Sequence, residues 1–155
     1  MNNTLQEEIN QRRPFHSLQE EAYLNILRTA SQLTDAFEIL LKPTGITLVQ
    51  YNVLRILRGS EPDGLCRNEL RDRMLNRMPD VTRLLDRMEE SGLVSRSREE
   101  ADRRQVRTQL TARAKRIVDE LDAKVFAEHR RRLGHLTDAQ LTTLVELLTV
   151  ARNPR

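Results

Sequence analysis

Between Pro79 and Thr111 an amphipathic helix runs directly into an arginine-rich hairpin, and that junction limits what the chain can fold into. Val81, Leu84, Leu85 and Met88 stand at i, i+3, i+4 and i+7, which commits one helical face to a core. The spacing predicts a helix from Pro79 to Ser91, ended by Gly92. Two alternating runs follow, Leu93 to Arg98 and Arg104 to Leu110, joined by a loop that carries Asp102, Arg103 and Arg104 at its tip. In the second run Val106 and Leu110 are expected to point inward, with Gln105, Arg107 and Gln109 toward solvent. A helix beside a cationic ribbon is the geometry of a winged helix, in which the helix enters one groove of DNA and the loop touches neighbouring backbone or minor groove.

If the apolar face of that helix is inward, its outward face carries Pro79, Arg83, Asp86 and Glu90, flanked by Thr82 and Arg87. Only the N-terminal half of this face is free of net acid, and N-terminal residues of a recognition helix are those that reach base edges. Asp80 is an acid near that tip. It would repel phosphate, so it either accepts a hydrogen bond from a cytosine amino group or caps the helix.

The flanking sequence supplies more helices. Ser17-Leu18-Gln19-Glu20 has capping-box spacing, and the stripe Tyr23, Ile26, Leu27, Ala30, Leu33, Phe37, Leu40 and Leu41 runs on until Lys42-Pro43. Such a helix is about 25 residues, or roughly 37 Å at 1.5 Å per residue. That exceeds what a small domain can cover, so part of the stripe is expected to pack outside its own subunit. A second helix opens at Thr47-Leu48-Val49-Gln50 and ends at Gly59-Ser60; a short third begins at Cys66-Arg67-Asn68-Glu69 with Leu70 and Met74 buried. The order of helix, turn and helix over residues 66–92 is a helix-turn-helix. Ala114, Ile117, Val118, Leu121, Val125 and Phe126 mark a long fifth helix, and Thr137 with Gln140 caps a sixth through Leu144, Leu148 and Ala151.

Composition narrows the class. At 155 residues one domain per subunit is expected, and no apolar stretch approaches the roughly 20 residues of a membrane-spanning helix. The N-terminus carries neither a basic leader nor an apolar export core, which with the single cysteine, Cys66, predicts a soluble cytoplasmic protein that contacts no membrane. Net charge is +3 and unevenly spread: residues 1–65 hold six basic and eight acidic groups, residues 66–107 eleven and nine, residues 108–155 nine and six. Of the 26 cations 23 are arginine, a preference that runs through the whole chain and is not specific to any site.

From about Ser17 onward the chain resembles the MarR family of bacterial transcription regulators. Asp102-Arg103-Arg104-Gln105-Val106-Arg107-Thr108-Gln109-Leu110-Thr111 is similar to that family's wing pattern, D-x-R, five residues, then Leu-Thr. Val81 to Glu89 followed by Gly92-Leu93-Val94 resembles its recognition helix and the exit into the wing. Ala114 departs from it, standing where the family often has glycine. The resemblance implies a mainly α fold, a winged helix-turn-helix over residues 47–111 with dimerisation helices over 17–42 and 112–152, interleaved between two copies in one MarR-like domain each. It also implies a homodimeric repressor on a pseudo-palindromic duplex operator, released by a small aromatic or phenolic effector bound between the dimer helices and the winged lobe. The expected DNA contacts are Arg67, Asn68, Pro79, Asp80, Thr82, Arg83, Arg87, Asp102, Arg103 and Arg104. Arg104 is the residue expected to enter the minor groove, oriented by the Asp102 carboxylate.

Other chemistries find little purchase. Some members of that family sense oxidants through a cysteine in the first helix, whereas Cys66 occupies the capping position of the third and has no second cysteine to resolve it. His16, His129 and His135 provide no ligand pair at i, i+4, so no metal or cofactor is expected. The sequence has no G-x-S-x-G, phosphate loop or dinucleotide fingerprint, so no enzyme is expected. The remaining alternative is a winged-helix module that contacts protein and does not bind DNA.

Overall fold

Most helices here start where a side-chain oxygen takes over a free backbone amide. Thr137 and Gln140 form the complete reciprocal pair, Gln140 N–H donating to Thr137 Oγ1 at 3.3 Å and Thr137 N–H donating to Gln140 Oε1 at 2.9 Å. Ser17 caps in the same way, accepting from Glu20 N–H at 3.1 Å, but the Glu20 carboxylate takes the His16 N–H instead of that of Ser17. A computed structural model describes residues 4–76, 79–98 and 106–153.

The elements in order are α1 (Leu5–Glu8), α2 (Leu18–Leu41) with a 3₁₀ turn (Lys42–Thr44), α3 (Leu48–Arg58), β1 (Leu65–Cys66), α4 (Arg67–Arg73), α5 (Val81–Glu90), β2 (Val94–Arg98), β3 (Val106–Leu110), α6 (Ala112–Leu133) and α7 (Asp138–Arg152). They fall into two compact units, Met1–Leu48 and Val49–Arg155.

In the first unit α1 is an addition to the sequence reading, built on a capping box between Thr4 and Glu7. Along α2 only Ala36 and Leu41 are buried, while Leu18, Tyr23, Ile26, Leu27 and Ile39 are exposed.

The second unit holds the mainly helical winged fold. Tyr51, Val53, Leu54 and Leu57 of α3, Leu70 of α4, the four apolar residues of α5, and Ala114, Val118, Leu121 and Val125 of α6 are buried. The expected ribbon is present as β2 and β3, paired antiparallel with Val94 opposite Leu110 and Arg98 opposite Val106. It gains a third strand, β1, on the far edge of β3, with Leu65 opposite Thr108. That edge admits only glycine at residue 64. Gly64 sits at φ +69°, and a Cβ there would lie 2.5 Å from the Thr108 carbonyl oxygen.

Four expectations shift. Thr108 is the deeply buried residue of β3, and Val106, expected inward, is 40% exposed. Arg107 and Gln109, expected in solvent, are half-buried: Gln109 Nε2 donates to the Pro62 carbonyl at 2.7 Å, and Arg107 Nη1 to that of Gly64 at 3.4 Å. Met74 terminates α4 half-buried, and Phe126 of α6 is 64% exposed with Arg130 over its ring at 6.0 Å. On α6 the buried Glu128 carboxylate receives hydrogen bonds from Arg131 and Arg132, which pull its pKa down to about 2.

Candidate nucleic-acid interface

The helix-turn-helix is set by burial on one side and capping at each start. α4 begins at Arg67 because Glu69 reaches back to accept the Cys66 N–H at 2.8 Å. That bond keeps the Glu69 carboxyl below the usual carboxylate range, with the nearby Arg107 adding to the effect. Cys66 thus stands at the capping position expected of it. α5 begins at Val81, two residues later than the spacing alone suggests, and the reason is Asp80. Its Oδ1 accepts the Arg83 N–H at 3.0 Å, the N-cap geometry, so Pro79 precedes the helix instead of forming its first turn. Of the two roles open to Asp80, capping is the one observed.

The outward side of α5 then takes a definite form. Arg83 is 81% exposed, and its Nε lies 3.2 Å from Asp80 Oδ2. Arg87 folds back one turn, its Nε donating to the Arg83 carbonyl at 3.2 Å. Thr82, also exposed, accepts from Arg67 Nη1 at 3.3 Å, tying the first residue of α4 to the second of α5. Arg67, Asn68 and Thr82 line one open groove together with Arg96 and Val106. Two sets of expected residues are therefore brought together: Arg67, Asn68 and Thr82, and Asp80, Arg83 and Arg87. Asp102, Arg103 and Arg104 lie outside the described residues.

Arg96 is the residue beside this face that the sequence reading lacks. From β2 its Nη2 reaches Asp86 at 2.7 Å and Glu89 at 2.6 Å, and its Nε donates to Glu89 at 2.8 Å. The other Glu89 oxygen accepts the Arg96 backbone N–H at 3.1 Å. The hydrogen bonds that Arg96 donates to Glu89 and Asp86 hold its pKa above the usual arginine value. Of the acids that made the C-terminal half of α5 look unsuited to DNA, Asp86 is thus paired with a cation from β2, which it shares with Glu89.

The exit from α5 is equally determined. Leu93 N–H donates to the Met88 carbonyl at 2.8 Å and Gly92 N–H to that of Glu89 at 2.9 Å, with Gly92 at φ +68°. This double closure is a Schellman end, and it turns the chain at once into β2. At the other end of the hairpin Thr111 Oγ1 donates to the Gly92 carbonyl at 2.8 Å, and Arg113 Nη1 to that of Ser91 at 2.7 Å. Wing and helix share one frame. Among the described residues no three His, Cys, Asp or Glu side chains gather as a metal site, and no helix is long and apolar enough to cross a membrane.

Proteins similar to this chain are transcriptional regulators. The family model described as MarR family matches residues 46–106, from the start of α3 into β3. YfiV, an uncharacterized HTH-type transcriptional regulator of Bacillus subtilis, is 32% identical over 128 residues, 83% of this chain and 77% of its own length. A MarR transcription factor from Planctomyces limnophilus is 36% identical, with 88% of this chain and 99% of that one aligned at a TM-score of 0.65. CouR from Rhodococcus jostii, whose structure was solved bound to p-coumaroyl-CoA, is 25% identical over 91% of this chain and 98% of its own at a TM-score of 0.75.

Proposed function

We propose, from the premise that this chain belongs to the MarR family of DNA-binding transcriptional regulators, that it is a homodimeric, operator-specific repressor released by a small aromatic or phenolic effector. The observation that carries DNA reading is the outward side of α5, where Thr82 and Arg83 near the N-terminus and Arg87 one turn on are exposed and each is already held by a partner within the protein. Held donors lose less side-chain freedom on binding, which favours contacts of fixed geometry with base edges. The Asp102, Arg103 and Arg104 tip is proposed as the second contact, in the minor groove.

Dimerisation is supported by the apolar side chains left uncovered in each unit. No residue of α7 is buried, and Leu144, Val145, Leu147 and Val150 are exposed, as are Tyr23, Ile26 and Leu27 of α2. Surfaces of that kind are normally covered. Repression is the simplest use of such a dimer, since an occupied operator excludes polymerase. The effector class is supported by CouR, whose bound p-coumaroyl-CoA carries a phenolic ring.

Arg83 and Arg67 should separate base reading from backbone anchoring. Arg83→Ala should weaken binding to a duplex that the parent enriches from a random library by about 1–3 kcal/mol per subunit, and weaken a scrambled duplex less. Arg67→Ala, at the start of α4, should weaken both about equally and flatten the slope of log K against log salt by about 0.9 for each phosphate it no longer neutralises. Fluorescence anisotropy at several salt concentrations measures all four affinities. Equal losses for Arg83→Ala on the two duplexes would turn the helix differently in the groove, and no binding by the parent at any salt would leave the protein-contacting alternative.

A further inference from the structure

Asp80 meets Arg83 twice, and only one of the two contacts is needed for capping. Oδ1 accepts the Arg83 N–H at 3.0 Å, while Oδ2 lies 3.2 Å from Arg83 Nε. A neutral serine or asparagine caps a helix as well as aspartate does. The charge is therefore extra, and it sits on the face intended for phosphates, where an anion lowers affinity for every duplex. What it adds is a fixed Arg83. A guanidinium held at Nε keeps its two terminal amino groups as the forked pair of donors that matches a base edge. An arginine 81% exposed and released from that hold would be free to reach any nearby phosphate. Arg87, turned back onto the Arg83 carbonyl, extends the fixed row from the cap along the helix.

We infer that Asp80 is a specificity-determining positioning residue: it holds Arg83 for base reading and withholds it from phosphates, suppressing binding to arbitrary DNA more than to the operator. The inference rests on the DNA-reading role proposed for α5. Its probes are a duplex that the parent protein enriches from a random library and a scrambled duplex of the same composition. Asp80→Asn keeps the cap and removes the charge. Affinity for the scrambled duplex should rise several-fold, and its salt slope should steepen by about 0.9 per subunit as Arg83 neutralises a phosphate. The ratio of enriched to scrambled affinity should fall at least about fivefold, the low end of what a well-oriented base contact contributes. In an Arg83→Ala background the same substitution should leave the ratio unchanged.

A ratio that stays at the parental value, or two duplexes that tighten by the same factor, would reduce Asp80 to a cap and a general repulsion and overturn the inference. If Asp80→Asn melts below the parent, Asp80→Ser, a second neutral cap, must reproduce the loss of ratio at parental stability, and failure to do so also overturns it. A parent that enriches no sequence would instead remove the DNA reading, and the inference with it.

Discussion

Replacing Arg96 by alanine should cost the protein about 2 kcal/mol of stability and weaken duplex binding at least about tenfold, the second effect arising although Arg96 is not among the expected DNA contacts. Hydrogen bonds between charged groups contribute about 1.5–3 kcal/mol each, but the partners here are partly exposed and water screens them, so the total is well below a simple sum over the bonds. The stability term reflects the Glu89 fork and the Asp86 contact, which join α5 to β2. The DNA term has a separate origin. Without Arg96, Asp86 and Glu89 become two uncompensated carboxylates on the helix that approaches phosphate, and the wing loses its tie to that helix. Urea unfolding and a salt titration on the enriched duplex measure the two effects. Asp86→Asn combined with Glu89→Gln in the Arg96→Ala background should restore much of the binding and little of the stability. An Arg96→Ala protein with parental affinity would mean that wing and recognition helix act independently.

A single charge on α7 should abolish assembly. Leu141, Leu144, Val145, Leu147, Leu148, Val150 and Ala151 point in most directions around this helix, and a helix apolar on most sides is stable only when surrounded. Leu147 is 63% exposed in the isolated chain. In the proposed dimer Leu147→Glu places an unpaired carboxylate in the interface, a cost of about 3–5 kcal/mol, or well over a hundredfold in the dimer Kd. Light scattering at micromolar concentration should then give the 18.1 kDa monomer for the variant and twice that mass for the parent. DNA affinity should collapse with it, because one half-site alone cannot hold the protein. A parent that is monomeric, or a variant that remains dimeric, would remove α7 from the interface.

Much of this was legible in the sequence because the signals are local. Caps at Ser17, Cys66 and Thr137 placed three helix starts, and Gly92 placed the end of the recognition helix. The apolar register of Val81, Leu84, Leu85 and Met88 fixed which side of α5 faces outward, and all four are buried. What escaped depends on pairing between distant residues. β1 has two residues, too few to show alternation, and exists because Leu65 finds Thr108 across 43 positions. The Arg96 fork spans a helix and a strand, so the familiar i, i+4 spacing cannot reveal it. Reading the ribbon as exposed on one face overlooked that β3 has a neighbour on each side, which is why Arg107 and Gln109 bond to the turn before β1. The helix α1 is different: Thr4 and Glu7 carry the same capping signal used elsewhere, and four residues without an apolar stripe drew no notice.

Hydroxyl-radical footprinting on the duplex enriched from a random library tests most directly whether two recognition helices read DNA together. Protection should fall in two blocks related by a dyad, their centres about 34–36 Å apart, one turn of the duplex. Arg83→Ala should weaken both blocks together, at the same base pairs in each half-site. A single protected block, or even protection with no preferred sequence, would contradict a dimer that reads its operator through the N-terminal end of α5.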